Sequence, residues 1–95
     1  MSSPRTLKNM GYIKHHKVVV FIDSGSTHNF IQRRVVQEMH CYVRLVKTFQ
    51  ILIANGSQMK CGGRCENVKL EMEYHLKCHM FTIEMGGCDI LLGIE

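Results

Sequence analysis

An uninterrupted apolar run that ends in a carboxylate constrains this chain more than any other feature. Residues 17–31 read KVVVFIDSGSTHNFI, and Val18–Ile22 carry no polar side chain. Such a run predicts a strand that is buried on both faces. Asp23 follows at once, and Ser24-Gly25-Ser26 predicts a tight turn in which Gly25 can take backbone angles closed to other residues. The Asp23 side chain, at the end of this predicted strand, is therefore either a turn former or a catalytic group.

Length and composition predict one globular domain over residues 1–95, with residues 1–5 as a flexible lead-in. A chain of 95 residues with 45% apolar content can bury a modest core, and pairing with a second copy would help to stabilise it. No segment approaches a membrane span, and the start MSSPRTLKNM lacks the apolar core of a signal peptide. Five cysteines, an odd number, also argue against a disulfide framework, so we expect an intracellular, cytoplasmic protein.

The net charge of +4 is concentrated in the N-terminal half of the chain. Residues 1–48 hold eight Lys and Arg against two acids, whereas residues 49–95 hold four against six. The basic residues are scattered, however, and no Trp or ladder of aromatic side chains lies between them. This pattern favours a solvated surface over a nucleic-acid site.

The first half of the chain predicts a hairpin followed by a helix. Leu7–Ile13 forms a first strand that turns back at His15-His16 into the apolar run. Apolar residues spaced by four then predict an amphipathic helix that ends near His40 and packs on the sheet. Its predicted cap is Thr27 or Asn29.

The second half predicts short strands. Alternating apolar residues lead up to Asn55-Gly56, which is a strong hairpin signal, and Gln58–Cys61 is the returning arm. After Gly62-Gly63, further strands are predicted at Val68–Tyr74 and Leu76–Met85. Many short strands with one helix indicate a mainly β fold, either a small barrel or a sandwich.

A second apolar run closes the chain, in the segment GGCDILLG at residues 86–93. Its lack of polar interruption predicts burial against a central element, for which the strand that precedes Asp23 is the natural neighbour. Asp89 is either a second carboxylate at the site or, more commonly for such a position, a turn residue before the strand.

Four soft ligands suggest a different function. Their spacing, C-x3-C-x9-H-x2-C, loosely resembles a zinc site, although it fits finger and knuckle spacings poorly. Cysteines in alternating strands also serve as small buried apolar residues. A zinc-binding module is therefore a less favoured alternative, with the ligands Cys61, Cys65, His75 and Cys78.

The motifs together resemble the retropepsin-like aspartic proteases of gypsy-class LTR retrotransposons, particularly the plant forms. The resemblance rests on the apolar strand, D-S-G-S, T-H-N-F-I, A-N-G and G-G-C-D-I-L-L-G, in that order, over about Leu7 to Ile94. It implies a mainly β, small closed barrel of the acid-protease (retropepsin) type, with one short helix after the D-S-G loop. It also implies a homodimer that cleaves an extended peptide or polyprotein without a cofactor, metal or membrane, at acidic to mildly acidic pH.

The resemblance assigns roles to particular positions. Asp23 is the catalytic carboxylate, and its loop is supported by Ser24, Gly25 and Ser26. Two further segments are the flap over the substrate and the strand under the loop: Ala54, Asn55 and Gly56, and then Ile90, Leu91, Leu92 and Gly93. Family members continue beyond L-L-G with a W-L-containing segment, so a domain shortened at its C-terminal end is expected. The alternative function is accordingly a non-catalytic remnant of such a protease.

Overall fold

A computed structural model describes residues 6–23, 26, 28–52, 58–84 and 88–93. The predicted lead-in at residues 1–5 lies outside these ranges. The described residues form seven strands and one helix. In chain order these are β1 (Thr6–Ile13), β2 (His16–Asp23), β3 (Phe30–Gln32), α1 (Arg33–Met39), β4 (Arg44–Leu52), β5 (Gln58–Glu71), β6 (His75–Ile83) and β7 (Ile90–Gly93).

The strands form one sheet in the order β1-β2-β7-β3-β6-β5-β4. β1 also pairs with β5 through Tyr12 and Glu71, so the sheet curls round into a ring with β4 outside it. The mainly β fold with one short helix is therefore confirmed. Within the described ranges, no helix has the length and apolar character needed to cross a lipid bilayer.

The two apolar runs lie side by side at the centre of this sheet. β2 and β7 are parallel, with Val20 opposite Ile90 and Asp23 opposite Gly93. Parallel neighbours of this kind have both faces screened from water when other elements cover them. Here only the inward face of β2 is fully buried, at Val18 and Val20, whereas its other face is half-buried. The prediction of burial on both faces is thus right for one face only.

The helix begins later than predicted. Phe30–Gln32 form β3, which pairs in parallel with β6 and antiparallel with β7. Tertiary pairing overrides the helical spacing there, because the sheet satisfies the backbone groups of this buried segment. Gln32 is the N-cap and makes no side-chain capping bond, so the predicted cap at Asn29 is wrong, and Thr27 lies outside the described residues.

The helix otherwise follows the predicted pattern. Val35, Val36 and Met39 are buried against the sheet. The helix ends as expected at His40, whose φ of 53° is left-handed, as is common for a helix C-terminus.

The strands predicted separately at Gln58–Cys61 and Val68–Tyr74 are joined through Gly62-Gly63 into one strand. β5 runs continuously from Gln58 to Glu71, with an irregularity between Cys65 and Val68. The glycine is needed for close packing, since a Cβ at position 63 would lie 2.6 Å from a methyl carbon of Val43. A glycine inside a strand often marks a close approach of this kind.

The core has two parts. The larger lies between α1 and the inward face of the sheet. The smaller consists of Phe30, Cys61 and Ile83, and half-buried apolar side chains pack against it. Those flanking side chains are Phe49, Ile51, Phe81 and Leu91.

Candidate active site

The side chain of Asp23 lies where β2 ends. Asp23 is the last residue of this strand, is half-buried, and lies opposite Gly93 of the parallel neighbour β7. The backbone carbonyl of Asp23 accepts a hydrogen bond from the amide of Ser26 at 3.2 Å, which closes a tight turn. Ser24 and Gly25 are outside the described residues. The strand thus ends in a half-buried carboxylate.

The Ser26 hydroxyl fixes the next part of the loop. It donates to the carbonyl oxygen of His28 at 2.8 Å and accepts from the amide of the same residue at 3.4 Å. A serine that bonds backbone groups two residues on stabilises a local turn. The described bonds of Ser26 therefore shape the loop that carries Asp23.

Gly93 allows the loop to lie directly on β7. A Cβ at this position would lie 2.5 Å from the carbonyl oxygen of Ser26 and 2.8 Å from that of His28. Real side chains do not approach backbone oxygens so closely. Because Gly93 has no side chain, the loop can pack directly against the end of β7.

Asn29 joins the far end of the loop to two strands, a role that the sequence prediction of a helix cap missed. Its Oδ1 accepts from the amide of Gly93 at 2.9 Å, and its Nδ2 donates to the carbonyl of His79 at 3.4 Å. Its own carbonyl accepts from the amide of Phe81 at 2.9 Å. The partners are 50 to 64 residues away along the chain, so no local signal could have identified them.

An aromatic cluster lies beside this loop. The ring of His28 meets that of Phe81 edge-on, with centroids 5.5 Å apart, and lies 6.3 Å from that of Phe30. Phe49 contacts Phe81 in the same way at 5.1 Å. The cluster joins the smaller core and gives the neighbourhood of the loop an apolar character.

The segment predicted to be the flap, Ala54 to Gly56, lies outside the described residues. The strands on either side of it are described, and they pair antiparallel up to Leu52 opposite Gln58. The flap at Ala54 to Gly56 therefore stays a prediction.

Asp89 does not join Asp23. Its Oδ2 accepts from the amide of Val19 at 2.8 Å, and its Oδ1 pairs with Nη2 of Arg34 at 2.6 Å. Val19 is four residues before Asp23 on an extended strand, a separation of roughly 13 Å. Asp89 therefore acts where β7 begins, as the turn residue that the sequence favoured.

The zinc alternative has no geometric support. All four of its residues are described, yet no three His, Cys, Asp or Glu side chains in the described part of the chain are grouped so as to hold a metal ion. Cys61 is buried in the smaller core and Cys65 in the larger one, so the two side chains serve different clusters. Burial raises the pKa of each thiol to about 11, which disfavours the thiolate that a metal requires.

Two solved structures share this fold. The retroviral protease-like domain of Ddi1 from Leishmania major matches with a TM-score of 0.66 and 17% identity, over 93% of this chain and 71% of that one. A retropepsin-like aspartic protease from Rickettsia conorii matches with a TM-score of 0.60 and 15% identity, over 98% of this chain and 81% of that one. At such low identity these matches establish the retropepsin-like fold alone.

Sequence comparison establishes the family. No curated protein gives a significant match to the chain. The sequence profile of one family, described as "gag-polyprotein putative aspartyl protease", matches residues 10–95, which is nearly the whole chain. This protein therefore belongs to the gag-polyprotein aspartyl protease family, and its fold is that of the retropepsin-like aspartic proteases.

Proposed function

We propose that this protein is an aspartic endopeptidase in which Asp23 and its copy in a homodimer activate water for the hydrolysis of peptide bonds. The observation that carries the proposal is the placement of Asp23 at the end of β2 beside Gly93, in a chain of an aspartyl protease family. The reaction needs one group to take a proton from water and another to protonate the amide nitrogen. Two carboxylates that share one proton can do both.

The composition of the chain supports a dimer. Asp23 and Asp89 are the two aspartates in the sequence, and Asp89 is bound to Arg34 and to Val19 in the middle of β2, away from Asp23. We therefore propose that the second aspartate at the site comes from another copy, brought there by a twofold axis between the two loops. Two carboxyl groups so close would share one proton, so we expect activity at acidic to mildly acidic pH.

The substrate class follows from the surroundings of the loop. An extended peptide could add to the sheet edges under a hairpin flap formed by Ala54, Asn55 and Gly56, which would exclude water. The aromatic cluster around Phe81 offers an apolar surface for substrate side chains. Ser24 would brace the two loops across the dimer, Gly25 would keep room beside the carboxylate, and Ser26 would support the loop. We further propose that the physiological reaction is polyprotein processing in a gypsy-class LTR retrotransposon of the plant type.

Replacing the proposed catalytic group tests this function. Asp23→Asn keeps the shape of the side chain but removes its charge, so peptide cleavage at pH 4–6 should fall by at least about a thousandfold. Glu73→Gln is the matched control, because it makes the same chemical change at an exposed residue of the bend before β6, and it should retain activity. Circular dichroism and sedimentation should show the same fold and assembly for both variants.

Two results would contradict the proposal. Cleavage retained by Asp23→Asn would show that another group performs the reaction. A strictly monomeric wild-type chain without pepstatin-sensitive cleavage would instead favour the alternative, a non-catalytic protease remnant.

A further inference from the structure

The amide of Asn29 is a three-way junction between the loop and the sheet. Its Oδ1 accepts from the last described amide of β7, that of Gly93, at 2.9 Å, while its Nδ2 reaches the carbonyl of His79 in β6 at 3.4 Å. The backbone carbonyl of Asn29 is bound by the amide of Phe81, also in β6. One residue thus ties the end of the loop to both strands.

These bonds fix the end of the loop at Gly93, which is also the residue opposite Asp23, where the loop begins. Gly93 is the register partner of Asp23 on one side and the hydrogen-bond donor to Asn29 on the other. Between them, the carbonyl oxygens of Ser26 and His28 rest against Gly93. The loop is therefore held to a single residue of β7 at both of its ends.

We propose that Asn29 is a positioning residue that fixes the Asp23 loop on Gly93 and so holds the carboxylate in register with its copy across the dimer axis. The inference rests on the proposed function. A pair of carboxylates that shares a proton needs accurate mutual placement, and a misplacement of about 1 Å can reduce the rate by about a hundredfold. Asn29 acts through the loop and does not itself touch the reacting atoms.

The chemistry of the site explains why an amide is used. The junction needs an acceptor for the amide of Gly93 and a donor for the carbonyl of His79, and asparagine supplies both in one planar group. Aspartate of the same shape supplies the acceptor alone. Leucine of similar size supplies neither, so the two substitutions separate hydrogen bonding from the filling of space.

The kinetic experiment compares Asn29→Asp, Asn29→Leu and the matched control Asn9→Ala, an exposed residue of β1. In the full chain as a dimer, Asn29→Leu should reduce kcat by about 10 to 100-fold with KM within about threefold, because the carboxylate is displaced while Phe49 and Phe81 stay in place on their strands. Asn29→Asp should recover part of kcat. It should also shift the pH profile upward, since a negative charge near the pair disfavours its ionisation. Asn9→Ala should match wild type.

Hydrogen exchange at the amide of Gly93 gives an independent readout. Exchange should accelerate about tenfold in Asn29→Leu and be largely restored in Asn29→Asp, because only the latter keeps the acceptor. The melting temperature should fall by no more than about 6 °C in either, since Asn29 is only half-buried and water can replace its bonds.

The outcomes distinguish this inference from the proposed function. Unchanged kcat in Asn29→Leu, in a dimer whose wild type cleaves peptide, would overturn the positioning role and leave the function intact. A kcat loss matched by global unfolding, with no rescue by Asn29→Asp, would assign Asn29 to stability and also overturn it. A wild-type dimer that cleaves no peptide would overturn both.

Discussion

At the scale of single residues, the position of the Asp23 loop depends on the lack of a side chain at Gly93. Gly93 lies under the loop, and the carbonyl oxygens of Ser26 and His28 occupy the space where a Cβ would project. These are backbone atoms of a loop held by its own hydrogen bonds, so they cannot move aside as a flexible side chain could. The glycine of the last apolar run therefore has a steric reason that its sequence context alone does not reveal.

Gly93→Ala should destabilise the protein by about 2–3 kcal/mol, because the new methyl group forces the loop away from β7. Gly62→Ala is the matched control, since a Cβ there would meet only a hydroxyl oxygen of Thr48 at 3.4 Å among nearby atoms. Urea unfolding measures both free energies. Equal stabilities of the two variants would show that the loop yields without cost.

The buried thiols make stability depend on pH in the alkaline range. Burial raises the pKa of Cys61 and of Cys65 from 9.0 to about 11. The unfolded chain then loses these protons at lower pH than the folded protein does. Their contribution is complete below pH 9 and is lost as the pH rises towards 11.

Wild-type protein should accordingly lose stability between pH 9 and pH 11. The double variant Cys61→Ala, Cys65→Ala should start from a lower stability at pH 7, because it leaves space in both cores, but should decline less steeply. The free energy of unfolding measured across this range checks the prediction. Parallel declines for the two proteins would contradict it.

At the scale of elements, β7 is held at its start by Asp89. The carboxylate is 17% exposed, accepts from the amide of Val19, and pairs with Arg34 of α1. It thereby joins β7, β2 and the helix. The pair between Arg34 and Glu38, by contrast, is exposed on both sides and lies within one helix. Ion pairs of the latter kind contribute little to stability.

Asp89→Ala should therefore lower the free energy of unfolding by about 2 kcal/mol, since it leaves the Val19 amide without its carboxylate acceptor and Arg34 without its less exposed partner. Glu38→Gln removes the other partner of Arg34 and should cost no more than about 0.5 kcal/mol. Chemical denaturation of both variants provides the measurement. A reversed order would show that the helix pair is the more important one.

At the scale of the whole molecule, each chain forms one ring of strands and supplies one Asp23 carboxylate. The pairing of Tyr12 with Glu71 closes the ring, and the central β2 and β7 carry the loop to one end of it. Under the proposed function, activity then belongs to the pair of chains and not to either alone. The activity of a mixture of wild type and an inactive variant should then depend on the fraction of wild-type pairs.

Co-refolding wild type with Asp23→Asn should produce mixed dimers that lack one carboxylate. With random pairing, the activity per wild-type chain should fall to about half at equal amounts and to about a tenth at a ninefold excess of the variant. Co-refolding with Glu73→Gln should cause no loss. A wild-type activity that is indifferent to Asp23→Asn would show that single chains are active.

Much of the fold could be predicted from local pattern. Unbroken apolar runs, alternating strands and the helical spacing of Val35 and Met39 depend on burial alone, and burial leaves a periodic trace in sequence. The errors arose where distant pairing overrode that trace. Phe30–Gln32 became a strand because β6 and β7 lie on both sides of it. β5 continued through Gly62-Gly63 because β4 pairs with it there, at Leu45 and Gly63.

The sequence by itself determined that a carboxylate follows a buried strand, and that a second apolar run ends in glycine, because both features are contiguous in the chain. Only the tertiary structure decided which distant groups meet there. It set the register that places Gly93 opposite Asp23, joined Asn29 to Gly93, and held Asp89 away at Val19. Contacts between residues 64 to 70 positions apart depend on how the sheet closes, and no short stretch of sequence shows which distant strands will pair.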